Sequence, residues 1–97
     1  MTRDEVIRIL SEHMPELREK YRVKYLALFG SVARNEATEE SDIDLTVEFD
    51  STVSLLGYVR TKRFLEELFG NPVDLVFRTT MKQRIRERVQ FEEIQIA

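Results

Sequence analysis

Residues 28–49 read LFGSVARNEATEESDIDLTVEF, and this stretch decides the fold of the chain. Apolar residues over 23–30 predict a buried strand that ends at a glycine, and the serine after it opens a short helix over 31–36. A polar loop is predicted over 35–41. Apolar and polar residues then alternate strictly over 42–49, which predicts a second strand with one face toward a core.

The elements on either side complete a small two-layer fold. A capping box of Thr2 and Glu5 begins a helix that Pro15 should end, and Gly70 stops a later helix. We predict an α/β (α+β) fold, with a three- to four-stranded mixed sheet and helices on one face, as a single domain over 1–97. The further predicted elements are a helix over 3–13, a second helix or turn over 15–21, a helix over 54–69, a strand over 73–77, a basic helix from 79 or 80 to 89, and a tail over 91–97 that forms an edge strand or binds a partner.

Composition excludes several classes of protein. The 97 residues include 15 Lys and Arg against 18 Asp and Glu, a net charge of −3, so we expect no direct nucleic-acid binding. The lack of cysteine excludes disulfide scaffolds and thiol nucleophiles, and the single histidine, His13, excludes multi-histidine metal sites. No apolar run approaches the roughly 20 residues of a membrane span, and no apolar leader opens the sequence. We therefore expect a cytoplasmic protein with no membrane association.

Gly30 and Ser31 stand where the first predicted strand gives way to a helix. Backbone N–H groups at such a turn attract phosphate, glycine lets the backbone approach the ligand, and the serine hydroxyl adds a donor. Taken alone, the pair is more simply a glycine turn with a serine N-cap. Both interpretations stay open at this point.

Three aspartates are candidates for metal binding. Asp42 and Asp44 are two residues apart on a strand, so both carboxylates share a face and repel each other unless a cation lies between them. Mg²⁺ suits such a pair, since it accepts one or two carboxylates together with substrate phosphates. Asp74 lies in an otherwise apolar strand, where it could ligate the same metal and accept a proton from an attacking hydroxyl. A solvent-facing polar position is the simpler alternative for each acid in isolation.

The glycine turn and the aspartate pair together form a more specific signal of function than either does alone. Gly-Ser, ten intervening residues and Asp-x-Asp fix four positions, which chance would place in about one chain in a thousand of this length. The arrangement resembles the GSx10DxD signature of the polymerase-β-like nucleotidyltransferase superfamily. The chain is most similar to its smallest members, the minimal nucleotidyltransferases (MNT), and VDLV over 73–76 resembles the later strand that carries their third carboxylate.

The resemblance implies a polymerase-β-like fold and the Mg²⁺-dependent transfer of a nucleoside monophosphate from ATP or another NTP, with two metal ions; AMP from ATP is the leading expectation. It implies that Gly30 and Ser31 hold the triphosphate and that Asp74 helps to deprotonate the acceptor. The catalytic and metal-binding residues that it implies are Asp42, Asp44 and Asp74.

Arg34 matches the arginine of the family's GSxAR run, and the resemblance implies a nucleotide-binding role for it. The simpler alternative is a surface arginine paired with Glu36 or Glu39. The basic helix predicted after Asp74 is likewise either a phosphate-facing patch or a solvated helix face.

The family resemblance also implies a biological role. Many small MNT proteins are antitoxins paired with HEPN-domain RNase toxins, and some add AMP to a tyrosine of the toxin. A protein adenylyltransferase with a HEPN toxin as its partner in a hetero-oligomer is therefore the leading hypothesis. Two alternatives remain: an antitoxin that neutralises its toxin by binding alone, and a transferase for small molecules or RNA that needs a separate acceptor-binding chain.

Overall fold

The computed structural model describes residues 2–38, 41–80 and 93–96. Its elements, in chain order, are α1 (Arg3–Lys20), β1 (Val23–Phe29), α2 (Gly30–Ala33), β2 (Ile43–Phe49), α3 (Leu55–Phe69), β3 (Val73–Phe77) and β4 (Ile94–Gln95). The strands form one sheet of order β3-β2-β1-β4, in which β2 and β3 are parallel and the other neighbours are antiparallel. The predicted α+β fold with a small mixed sheet is confirmed.

The helices α1 and α3 pack on one face of this sheet. Leu10 and Leu17 of α1 and Leu65 of α3 are fully buried against it. The sheet residues of this core are Val23, Leu26, Leu28, Ile43, Leu45, Val47, Val73 and Leu75. Because successive strand residues point to opposite faces, the residues between them, Asp44 and Asp74 included, lie on the other face.

The first helix differs from the prediction. We predicted a break at Pro15, which was wrong, because one helix runs through the proline over Arg3–Lys20. Proline removes a single backbone hydrogen bond, the one to the carbonyl of Ser11, and Ser11 is exposed to water. Met14 and Leu17 on either side of the proline are buried, so the packing of this stripe outweighs the local cost.

Local backbone conformations set the other helix ends. The helix predicted over 31–36 is shorter, because α2 ends at Ala33 and Asn35 takes a left-handed conformation with a φ of 59°. The prediction for α3 is confirmed to within a residue. Ser54 caps its first turn by accepting a hydrogen bond, and Gly70 adopts the left-handed conformation that ends it.

Two residues of the predicted tail form β4, at the edge of the sheet opposite β3. β4 pairs antiparallel with β1, which confirms the edge-strand interpretation for Ile94 and Gln95. Residues 78–80 are helical, and the rest of the predicted basic helix lies outside the described residues. In the part of the chain that the structure describes, no helix has the length and apolar character needed to cross a membrane.

Candidate active site

Gly30 brings the backbone directly against the carboxylate of Asp44. Its φ of 73° lies in the left-handed region that residues with a side chain rarely adopt. A Cβ atom added at Gly30 would overlap Oδ2 of Asp44 and lie 2.9 Å from its Cγ. Two features therefore require glycine at this position: the left-handed backbone conformation and the close approach of the Asp44 carboxylate.

Asp44 and Asp74 are direct neighbours in the parallel pair of β2 and β3. Paired residues on adjacent strands project from the same face, so these two carboxylates stand side by side. Asp42 lies two residues before Asp44 and is exposed, as is Asp74, whereas Asp44 is partly buried. The structure thus places all three predicted acids at one end of the sheet.

Side chains of α3 hold β3 on both sides of Asp74. The Glu66 carboxylate accepts a hydrogen bond of 3.0 Å from the N–H of Val73, and the Tyr58 hydroxyl donates to the carbonyl of Leu75. Since β3 is the last strand at its edge of the sheet, these backbone groups have no strand partner on that side. The two hydrogen bonds therefore fix the backbone that carries Asp74.

The surroundings of Asp44 destabilise its ionised form. Burial raises the pKa of Asp44, the charges of Asp74 and Asp42 raise it further, and the charge of Arg34 lowers it. A cation bound among carboxylates relieves such repulsion. The negative charge around Asp44 is of the kind that a bound cation would neutralise.

Replacing Asp44 by asparagine should stabilise the metal-free fold near neutral pH. Because its pKa is raised, the folded protein holds this proton more tightly than the unfolded chain does. Stability is therefore undiminished at low pH, where the carboxyl is protonated in both states, and it falls as the pH rises through the raised pKa of Asp44. We expect Asp44→Asn in EDTA to raise the free energy of unfolding at pH 7 by up to about 1 kcal/mol, with no difference below about pH 4.

Urea unfolding at both pH values measures this difference. Glu16→Gln removes an exposed carboxylate from α1 and serves as the control, with an expected change within about 0.5 kcal/mol. An Asp44→Asn variant that is less stable than the wild type in EDTA at pH 7 would show that the carboxylate is held by favourable contacts and not by repulsion.

The acids suit a cation that is shared with a substrate. In the described residues, no three acidic or histidine side chains converge tightly enough to enclose a metal ion by themselves. Mg²⁺ commonly takes one or two carboxylates and completes its shell with water and substrate phosphates. The adjacent Asp44 and Asp74, with no side chain at Gly30 in front of them, fit this open mode of binding.

Ser31 and Arg34 lie just after Gly30. Ser31 is partly buried on α2. Because α2 has only four residues, it can offer an anion its backbone N–H groups but no sizeable helix dipole. Arg34 Nε donates to a Glu36 carboxylate oxygen at 3.2 Å, so the surface pair left open by the sequence does form. The charge of Arg34 also lowers the pKa of Asp44, so the guanidinium is close enough to the acids to act on them.

A further carboxylate that the sequence did not indicate lies on this face of the sheet. Glu93, just before β4, accepts a hydrogen bond of 3.4 Å from the hydroxyl of Thr46, and burial raises the pKa of Glu93. Thr46 and Ala27 are fully buried here, although alternation predicted a polar face. The strand period points to Thr46, two residues after Asp44, but only the antiparallel addition of β4 brings Glu93 beside it.

Residues 10–96 match the family model of the nucleotidyltransferase domain. The chain belongs to this family. The matched region contains the turn at Gly30 and the acids Asp42, Asp44 and Asp74. The prediction of a nucleotidyltransferase is therefore confirmed.

Individual relatives agree with this assignment. The chain is similar to the protein adenylyltransferase MntA of Thermococcus cleftensis, with 38% identity over 96 residues, 99% of this chain and 97% of that protein. A solved structure provisionally assigned as a minimal nucleotidyltransferase shares 39% identity and a TM-score of 0.72, over 92% of this chain and 90% of that one. A complex of tri-AMPylated Shewanella oneidensis HEPN toxin with MNT antitoxin contains the same fold, with 21% identity and a TM-score of 0.55 over 98% of this chain and 68% of that one. The resemblance to minimal nucleotidyltransferases is confirmed.

Proposed function

We propose that this chain is an Mg²⁺-dependent protein adenylyltransferase that transfers AMP from ATP to a tyrosine hydroxyl of a HEPN RNase toxin, and so acts as its antitoxin. The observation that carries the proposal is the direct pairing of Asp44 with Asp74 beside Gly30. Similarity to a protein adenylyltransferase supports AMP as the transferred group, and the fold shared with an MNT antitoxin supports a toxin as the acceptor. In this proposal residues 1–97 act as one catalytic domain in the cytoplasm.

In this proposal, different residues of the site bind the triphosphate and the metal ions. Gly30 and Ser31 hold the triphosphate, and Arg34 contributes a further phosphate contact when its guanidinium leaves Glu36. When bound, Mg²⁺ neutralises the charge that develops on the phosphates during transfer. The residues that would hold the two metal ions are Asp42, Asp44 and Asp74.

The transfer forms one bond and breaks one. The acceptor hydroxyl oxygen attacks the α-phosphorus of ATP, the bond to the bridging oxygen breaks, and pyrophosphate leaves with that electron pair. Asp74 accepts the hydroxyl proton. Its position favours this role, since Asp74 is exposed on a strand at the edge of the sheet, where a group as bulky as a protein can approach.

Labelling with ATP tests the proposal. The purified protein is incubated with Mg²⁺, α-³²P-labelled ATP and an extract of the cells that encode it, and the products are separated by size. We expect a labelled protein band, in which mass spectrometry places AMP on a tyrosine of a HEPN toxin. Label found only in RNA or small molecules would show that the protein is a transferase whose acceptor is not a protein. Toxin neutralisation without any label would favour an antitoxin that acts by binding alone.

A further inference from the structure

A cavity of about 530 Å³ lies at the end of the sheet opposite to the three acids. It is lined by Tyr21 and Arg22, which precede β1, and by residues 51–54, which follow β2. Gly30 and Asp44 lie at the other ends of the same two strands. The length of β1 therefore separates this cavity, which we term the distal cavity, from the candidate active site.

The distal cavity is strongly basic in a chain whose net charge is −3. Among the residues that line it, Glu67 is the one acid. Its cationic lining residues are Lys20, Arg22, Arg60 and Arg63. Arg22 is neutralised by Asp50, with an Nε–Oδ1 distance of 2.9 Å. The other three cations form no ion pair with any described residue, so they are available to a ligand.

Aromatic rings lie beside these cations. Tyr21 and Phe64 stack with their ring centroids 4.9 Å apart, and both rings are partly exposed at the cavity. The ammonium group of Lys20 lies 5.8 Å from the centre of the Tyr21 ring. The rings of His13 and Phe64 meet edge to face with their centroids 6.2 Å apart, which supports the stack on the side of α1. The cavity therefore combines a flat apolar surface with positive charge.

The fold holds one of these cations in an unfavourable backbone conformation. Arg22 follows α1 with a φ of 63°, in the left-handed region where glycine is the usual residue after a helix. Its carbonyl accepts a hydrogen bond of 2.9 Å from the N–H of Asp50, while its side chain pairs with the carboxylate of the same residue. These two contacts fix the connection after α1 against the connection after β2, and so fix the shape of the cavity.

We propose that the distal cavity binds a nucleoside phosphate at a second site, remote from the three acids. Guanidinium groups match phosphate oxygens in charge and geometry, which suits Arg60 and Arg63 to the phosphate. An aromatic ring adds stacking area for a base, as the Tyr21–Phe64 pair would do. The cavity volume lies within the range of about 300–1,000 Å³ that small-molecule sites span. The ligand is a free nucleotide such as AMP, and the 5′-phosphorylated end of an RNA carries the same chemistry.

Titration calorimetry with AMP in EDTA tests this site apart from the transfer reaction. EDTA removes the metal that would hold phosphate at the three acids, and the Arg60→Gln/Arg63→Gln variant assigns the remaining AMP binding to the distal cavity. We expect one AMP to bind per chain, and Arg60→Gln/Arg63→Gln to weaken that binding about tenfold or more. The charge-matched control is Arg3→Gln/Arg8→Gln, which removes two cations of α1 outside the cavity and should leave the affinity within about twofold.

Two further ligands test whether the distal cavity recognises a nucleotide. Ribose 5-phosphate lacks the base and should bind about fivefold or more weakly than AMP, because it cannot stack on Tyr21. A 5′-phosphorylated RNA trinucleotide that binds more tightly than AMP would identify an RNA end as the source of the ligand. Absence of AMP binding in EDTA, equal losses in the two double variants, or equal affinity for AMP and ribose 5-phosphate would each overturn the proposal. Circular dichroism confirms that each variant is folded before titration.

Discussion

Asp42→Asn/Asp44→Asn is expected to lower the rate of AMP transfer by about a thousandfold or more, because metal ions contribute several kcal/mol to phosphoryl transfer and this variant removes their principal ligands. Asparagine keeps the size of each side chain and removes two of the three negative charges that lie together at this end of the sheet. The variant should therefore fold at least as well as the wild type in EDTA. Rates of label transfer from ATP to the toxin, measured in Mg²⁺, give the size of the loss.

The control for this variant is Glu16→Gln/Glu19→Gln, which removes two exposed negative charges from α1. Its transfer rate should equal that of the wild type. Binding of the toxin, measured by calorimetry, should be retained in both variants if Asp42 and Asp44 serve the chemistry alone. Transfer that persists in the double aspartate variant would remove these residues from the catalytic set, and toxin neutralisation that persists without transfer would favour an antitoxin that acts by binding.

Local chemistry made much of the fold predictable. The alternation over 42–49 fixes which residues of β2 face the core, and Ser54 and Gly70 mark the ends of α3 to within a residue. The course of the chain at Pro15 depends instead on distant contacts. A proline is a strong local signal for a break, but buried residues on both sides of it draw α1 onto the sheet as one helix. No pattern within that segment reveals how much burial the sheet will provide.

The candidate site was predictable as a set of residues but not as a geometry. The spacing of Gly30, Asp42 and Asp44 is a sequence property, whereas the pairing of Asp44 with Asp74 depends on the register of a parallel pair joined through α3. The contact between Glu93 and Thr46 depends in the same way on β4, which reaches the sheet from the far end of the chain. The register between strands that are distant in the chain cannot be predicted from any local stretch of the sequence.

Gly30→Ala is expected to lower AMP transfer by about a hundredfold or more, since displacing reacting groups by about 1 Å can cost that much. The added methyl group would overlap the Asp44 carboxylate, so either the strand end or the carboxylate must move. Gly70 provides a matched control, because its φ of 67° is close to the 73° of Gly30 while a Cβ there would have no neighbour within 4 Å. Alanine in the left-handed region costs about 1–2 kcal/mol at either position.

The two glycine variants therefore separate backbone conformation from contact with the carboxylate. Gly70→Ala should lower the free energy of unfolding by that conformational cost alone and keep the transfer rate of the wild type. Gly30→Ala should lose transfer even at low temperature, where both variants are fully folded. Urea unfolding and label transfer measured on the same preparations make the comparison. Equal transfer rates in the two variants would mean that the Asp44 carboxylate can move without loss of function, and that Gly30 is needed only for the turn.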